Sequence, residues 1–176
     1  MNKLKSVQSL PLDAVYDELE SPVGVLILIA SQKGLHCVLW EHYREHAACQ
    51  KILNRLKQSA DNNIIIKTKQ QLGEYFKGLR KTFDLPLVLE GSDFQIKAWK
   101  TLVEIPYATT LSYGEQAAKV GHKNKARAVG MANGMNPISI IIPCHRVIGS
   151  NGKLVGFGGG LDTKSKLLKL EKLNHE

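Results

Sequence analysis

S-Y-G-E-Q-A-A-K-V-G-H-K-N-K-A-R-A-V-G-M-A-N-G, residues 112–134, decides the fold of the half-chain around it. Ser112 with Glu115 spells a capping box, so a short helix opens there and runs through Ala117, Ala118 and Val120 to Gly121. Past H-K-N (122–124), Asn124 is placed to cap a second helix through Ala126, Ala128, Val129 and Ala132, closing at Asn133-Gly134. Two short helices joined by a tight glycine-containing turn make a helix-turn-helix. Lys123, Lys125 and Arg127 then sit at the end of the second helix that such a motif points into DNA. The same pattern also describes a helical hairpin that binds nothing, so the flanks must supply the chemistry.

Upstream, Ser92 with Gln95 fits another capping box, opening a helix through Ile96, Trp99 and Leu102 to Ile105, where Pro106 stops it. Downstream comes N-P-I-S-I-I-I-P-C-H-R-V (136–147), whose run Ile138–Ile142 reads as a short buried extended piece that presents Cys144 at a turn. G-F-G-G-G (156–160) follows as a flexible or tightly turning loop, then an amphipathic helix from Thr163 to Leu173 that contains Glu171.

The preceding half is built differently. Val25–Ala30, the turn S-Q-K-G (31–34) and Leu35–Trp40 read as an antiparallel hairpin. Ala47, Ala48, Ile52, Leu53 and Leu56 recur at helical spacing between Glu41 and about Ser59. D-N-N (61–63) breaks that helix, Ile64–Ile66 reads as a brief strand, and Gln70–Leu79 suits another helix. F-D-L-P-L-V-L-E-G-S (83–92) reads as a linker or an edge segment carrying a proline, and with a boundary near Gly91 two domains are expected, 1–91 and 92–176.

Bulk properties narrow the class. The 176 residues are 43% hydrophobic and 23% charged, as expected of a globular chain. No apolar run approaches the ~20 residues of a membrane span. The start, M-N-K-L-K-S-V-Q-S-L-P, has no apolar stretch behind its lysines, so no signal peptide is expected. Three widely spaced cysteines make no disulfide framework and suit reduced thiols in the cytoplasm. Residues 1–91 hold 12 Lys/Arg against 10 Asp/Glu, and residues 92–176 hold 12 against 6. The positive excess therefore shares a half-chain with Cys144, which suits a polyanionic partner or a solvated basic surface.

Each chemical candidate has a plainer rival. His42, His46 and Cys49 would share one face of a helix, a workable metal geometry, but with no second cluster they read as structural, and no metal is expected. Gly156, Gly158, Gly159 and Gly160 lack a phosphate-binding pattern and instead let backbone N–H groups approach a ligand. Cys144 by residue type alone would be an inert packed thiol. Pro143, His145 and Arg146 are poor core neighbours, however, and the two cations favour a reactive sulfur. A cysteine hydrolase would need His145 against the thiol, yet chain neighbours in an extended segment face apart and would meet only through a turn or a bridging water.

S-D-F-Q-I-K-A-W-K-T-L (92–102), S-Y-G-E-Q-A-A (112–118), A-R-A-V-G-M-A-N-G-M-N-P (126–137), I-P-C-H-R-V-I-G (142–149) and G-G-G-L (158–161) occur in that order. Together they resemble the O6-alkylguanine-DNA alkyltransferases, suicide repair proteins that move an alkyl group from a DNA base onto their own cysteine. The resemblance is strong over roughly residues 70–173 and weak before that. It implies a stand-alone bacterial-type member: a small α/β ribonuclease-H-like domain, then a helical domain with a winged-helix-like helix-turn-helix. The same resemblance implies a monomer with no cofactor.

By that resemblance Cys144 is the acceptor, His145 holds a water that takes the thiol proton, Glu171 orients His145, and Asn136 braces the turn. Arg127 fills the place of the flipped nucleotide, Tyr113 turns the phosphate and bonds the guanine, and the backbone of Val147 and Gly158 holds the base edge. The small residues Ala126, Ala128, Gly130 and Ala132 let the helix lie close in the minor groove. The implied partner is duplex DNA carrying O6-alkylguanine, with O4-alkylthymine as a further candidate lesion. Phe157 and Gly158 replace a tyrosine and a serine found in some members, which predicts an apolar, wider pocket that tolerates alkyl groups larger than methyl. The rival from another class is a lesion-binding protein that transfers nothing; relatives of that type lack the cysteine, so Cys144 counts against it.

Overall fold

The structure, a computed structural model, describes residues 9–175, and the chain divides into two compact units between Glu90 and Gly91. The stretch M-N-K-L-K-S-V-Q, read above for a leader, lies outside the described residues. Among the described residues no helix is long and apolar enough to cross a membrane.

In the first unit β1 (Val15–Leu19), β2 (Leu26–Ser31), β3 (Gly34–Trp40) and β4 (Lys57–Gln58) form one sheet of order β3-β2-β1-β4. β2 is antiparallel to both neighbours, and β4 runs parallel to β1. Every residue of β2 and β3 is buried, which matches their unbroken apolar runs. Ile27, Ile29, Cys37 and Leu39 pack there against Cys49, Ile52 and Leu53 of α1 (Ala47–Leu53).

Three expectations for this unit need correction. The helix expected from Glu41 to about Ser59 is instead a 3-10 turn (Glu41–Glu45), an extended His46, the short α1 and then β4. The segment E-H-Y-R-E fully buries no residue, only Tyr43 packing in part against the core, so little apolar burial favours the α-helical track. His42, His46 and Cys49 therefore share no helical face; the two histidines stack on Tyr43, and Cys49 is core. D-N-N does not precede a strand either: the Asn62 side chain accepts from the N–H groups of Ile64 and Ile65 and opens α2 (Asn63–Phe76). That cap outweighs the β preference of three isoleucines. α2 ends at Phe76, where Gly78 at φ 74° closes a Schellman turn through Gly78 N–H to Tyr75 O and Leu79 N–H to Glu74 O. β1 had no counterpart in the reading, because V-Y-D-E-L buries only Asp17 and carries no apolar period.

The second unit holds α3 (Asp93–Val103), α4 (Tyr113–Lys119), α5 (Ala126–Gly134) and α6 (Leu161–Leu173), with a two-stranded parallel ladder of β5 (Leu111–Ser112) and β6 (Val147–Ile148). Both capping boxes form, Ser92 with Gln95 and Ser112 with Glu115. α4 and α5 make the helix-turn-helix over small core residues, Ala98, Ala117, Val120, Val129 and Ala132. Gln116 and Asn133 exchange buried amide hydrogen bonds at 2.7 and 3.1 Å across the two helices. Asn124 does not cap α5; Lys125 holds that position without a side-chain bond. Helix α6 starts two residues before the expected Thr163, at Leu161. Ile138–Ile142 is buried as expected but turns rather than extends, since Ile142 N–H reaches Ile138 O and Ile140 lies at φ 74°.

Candidate active site

The turn that follows α5 is tied by one amide. Asn136 Oδ1 accepts from Ile138 N–H at 3.0 Å, while Nδ2 donates to Ile142 O at 2.8 Å and to Cys144 Sγ at 3.3 Å. An asparagine that is fully buried thus fixes the loop and touches the sulfur it delivers. Pro143 then leads into a single 3-10 turn, Cys144–Arg146, so these neighbours are not splayed as in a strand.

Behind the thiol lies a buried charge network. His145 Nε2 and Glu171 Oε1 are 2.7 Å apart, and Arg146 grips the same carboxylate through Nε at 2.9 Å and a terminal nitrogen at 3.0 Å. Ala108 N–H adds a further donor at 2.9 Å. Burial alone would raise the Glu171 carboxyl, but hydrogen bonds and charge from His145 and Arg146 prevail and hold its pKa at about 2. Desolvation lowers the pKa of His145 against the opposing pull of Glu171. A neutral ring beside an ionised carboxylate must place its proton on Nε2. Nδ1 is then a lone pair, buried and without a protein partner, available to accept a proton.

Lys164 is the residue the reading missed. It is fully buried, with Nζ donating to Val147 O at 2.6 Å and Val155 O at 2.8 Å. Desolvation lowers its pKa to about 8, with the nearby Cys144 acting in the opposite sense. The available signal was a lysine on the same face of α6 as Leu167 and Glu171, the helix's other buried residues.

Cys144 is 7% exposed and opens onto a cavity of about 610 Å³, within the size range of small-molecule sites. Tyr113, Ala126, Arg127, Gly130, Phe157 and Gly158 all line it, as does Gly156 of the glycine-rich loop expected to approach a ligand; Met131, Asn133, Gly134 and Val155 line it too, without having been expected at a site. Tyr113 donates its hydroxyl proton to Val155 O at 2.9 Å, and its ring lies where a methyl on Gly130 would come within 3.4 Å. The Phe157 ring stands edge-on to His145 at 6.4 Å. Asn136, His145 and Glu171 sit outside the cavity wall, and the Val147 side chain is buried while its carbonyl is held by Lys164.

Cys144 faces a cavity lined by the second helix of a helix-turn-helix, the arrangement of a nucleic-acid-binding domain with a thiol beside its second helix. Residues 14–89 match the family model described as 6-O-methylguanine DNA methyltransferase, ribonuclease-like domain, and residues 93–173 the one described as its DNA binding domain. The chain belongs to the 6-O-methylguanine DNA methyltransferase family. A methylated-DNA–protein-cysteine methyltransferase from Methanosarcina barkeri is 46% identical over 163 residues, covering 90% of this chain and 98% of the relative. The crystal structure of Mycobacterium tuberculosis O6-methylguanine methyltransferase superposes with a TM-score of 0.81 at 42% identity, covering 92% of this chain and 94% of that one. A structure of the Mycobacterium tuberculosis protein OGT in complex with DNA gives 0.78 at 43% identity, covering 90% and 93%.

Proposed function

We propose that this chain repairs alkylated DNA directly, taking an alkyl group from O6-alkylguanine onto Cys144 in a single irreversible event, as one chain with no cofactor. The observation that carries this is the floor of the cavity: a sulfur touched by Asn136, backed by a neutral histidine whose free nitrogen is buried. The thiol proton passes to His145 Nδ1 through a water, and Glu171, ionised and fixed by Arg146, stabilises the imidazolium that forms. The thiolate attacks the alkyl carbon, an S–C bond forms as the C–O6 bond breaks, and guanine leaves with the bonding pair and takes up a proton. The product is a thioether with no good leaving group, so each molecule acts once.

The base reaches the thiol only if its nucleotide leaves the stack, at a cost of a few kcal/mol. Arg127, exposed on α5, fills the gap. Ala126 and Gly130 keep that helix slim enough to lie in the minor groove. Tyr113 flanks the base; with its hydroxyl proton committed to Val155, it meets guanine as an acceptor or by giving up that bond. The backbone of Gly158 holds the base edge together with the remaining lone pair of the Val147 carbonyl, which Lys164 also holds, and Phe157 with Gly158 leaves room for alkyl groups beyond methyl.

The test is an intact-protein mass spectrum after mixing with duplex DNA containing one O6-methylguanine. The wild type gains one methyl in place of a proton, and Cys144→Ser gains nothing. An unchanged wild-type mass with DNA still bound would establish lesion recognition without transfer.

A further inference from the structure

We propose that Met131 is an apolar wedge that packs against the base stack beside the nucleotide taken out by this site. The inference rests on the reading of α5 as the helix that faces DNA. Met131 follows Arg127 by one helical turn and lines the same cavity mouth. Its side chain is 52% exposed, whereas Cys144 on the floor is 7% exposed, so Met131 belongs to the rim and not to the wall around the alkyl group. Ala126, Ala128, Gly130 and Ala132 flank it along α5, and among these small residues a long side chain stands proud.

The surroundings select the partner. Lys123, Lys125 and Arg127 carry positive charge at the start of α5, which suits a polyanion. A residue contacting only phosphate would be cationic or polar. An exposed thioether gains nothing from phosphate, but it does gain from the flat faces of unstacked bases. Arg127 and Met131 would then divide the work: the guanidinium occupies the vacated place, and the thioether holds the adjoining step apart.

Single-turnover transfer from duplex O6-methylguanine, and from O6-methylguanine supplied as the free base, would be timed for the wild type, Met131→Ala and Met131→Leu. Met131→Ala should slow the duplex reaction about tenfold while the free-base rate stays within about twofold, since only the duplex has a step to wedge. Met131→Leu, which keeps the apolar reach, should stay near the wild type on both. A duplex rate preserved in Met131→Ala would overturn the wedge, and so would equal slowing on both substrates, which marks a pocket wall. A wild type inert on both substrates would overturn the underlying reading and the wedge with it, a result that no variant-specific loss resembles.

Discussion

The two units bury ionisable groups in different ways. In the first, Asp17 is paired with Lys69 and Gln58, His36 bonds Ser31, and neither pair joins the other through any bond between them. Its cysteines 37 and 49 lie in an apolar cluster, where burial raises the Cys49 thiol pKa. In the second, Asn136, Cys144, His145, Arg146 and Glu171 form one connected patch beneath a cavity, with Lys164 alongside. Buried charge is costly unless every partner is in place, so the stability of the second unit rests on one set of linked partners. The first unit is therefore vulnerable to a misplaced methyl, and the second to a lost charge.

Removing the charge at the centre gives the largest expected effect. Glu171→Gln leaves Arg146 buried without its anion, and it should destabilise the second unit by about 3–5 kcal/mol. Urea unfolding followed at Trp99, in a variant where Trp40 is phenylalanine, reads that unit alone. A loss below about 1 kcal/mol would mean that the network is solvated like a surface pair.

Gly34→Ala is the matching change in the first unit. A Cβ on Gly34 would lie 2.4 Å from Pro86 O, a backbone atom, and the residue's φ of +148° adds strain for a side chain. Leu35 N–H also bonds Pro86 O at 2.8 Å, so retreat would break a strand contact. The expected loss is about 2–3 kcal/mol, read at Trp40 with Trp99 replaced by phenylalanine. If Trp99 reports the larger loss instead, the contrast between the units fails.

Acid sharpens the contrast further. His36 and His145 are both lowered from 6.5 by burial, so each unit loses stability as pH falls below that value, where the unfolded histidine takes a proton that the folded one resists. The second unit then loses more between 4.5 and about 2, where unfolded glutamate is protonated and Glu171 is not. Asp17, Glu74 and Asp84 are also lowered in the first unit by hydrogen bonds from their cationic partners, so both signals should weaken below pH 4.5. The Glu171 share is the part of the Trp99 loss that Glu171→Gln removes. Wild-type and Glu171→Gln acid curves that run parallel at Trp99 would contradict the assignment.

What was legible in the sequence follows from the range of the signals. Capping boxes at Ser92 and Ser112 are local, and both formed as read. Asn62 shows the limit of such reading: three β-branched residues after it looked like a strand, and a cap no more than three residues from its targets decided for helix. P-C-H-R-V pointed to Cys144 because the thiol, His145 and Arg146, which the structure keeps together, are contiguous. Lys164 stayed hidden because its partners, at Val147 and Val155, are backbone carbonyls, which carry no side-chain signature. Ala108 stayed hidden for the same reason, since its part is played by a backbone N–H.

Ala108 supplies the smallest prediction, one that separates strain from packing within the network. It sits at φ 58°, a left-handed conformation that costs an L-residue with a side chain about 1–2 kcal/mol. The turn is held by Thr109 N–H to Pro106 O and by Ala108 N–H to Glu171 Oε2, so the carboxylate that orders His145 also enforces this conformation. Glycine would adopt it freely but would lose about 0.5–1 kcal/mol more entropy on folding. The difference predicts that Ala108→Gly stabilises the second unit by about 0.5 kcal/mol. Self-alkylation should stay at the wild-type rate, because the N–H that meets Glu171 is kept. A loss of stability would show that the Ala108 methyl packs usefully enough to outweigh its strained backbone.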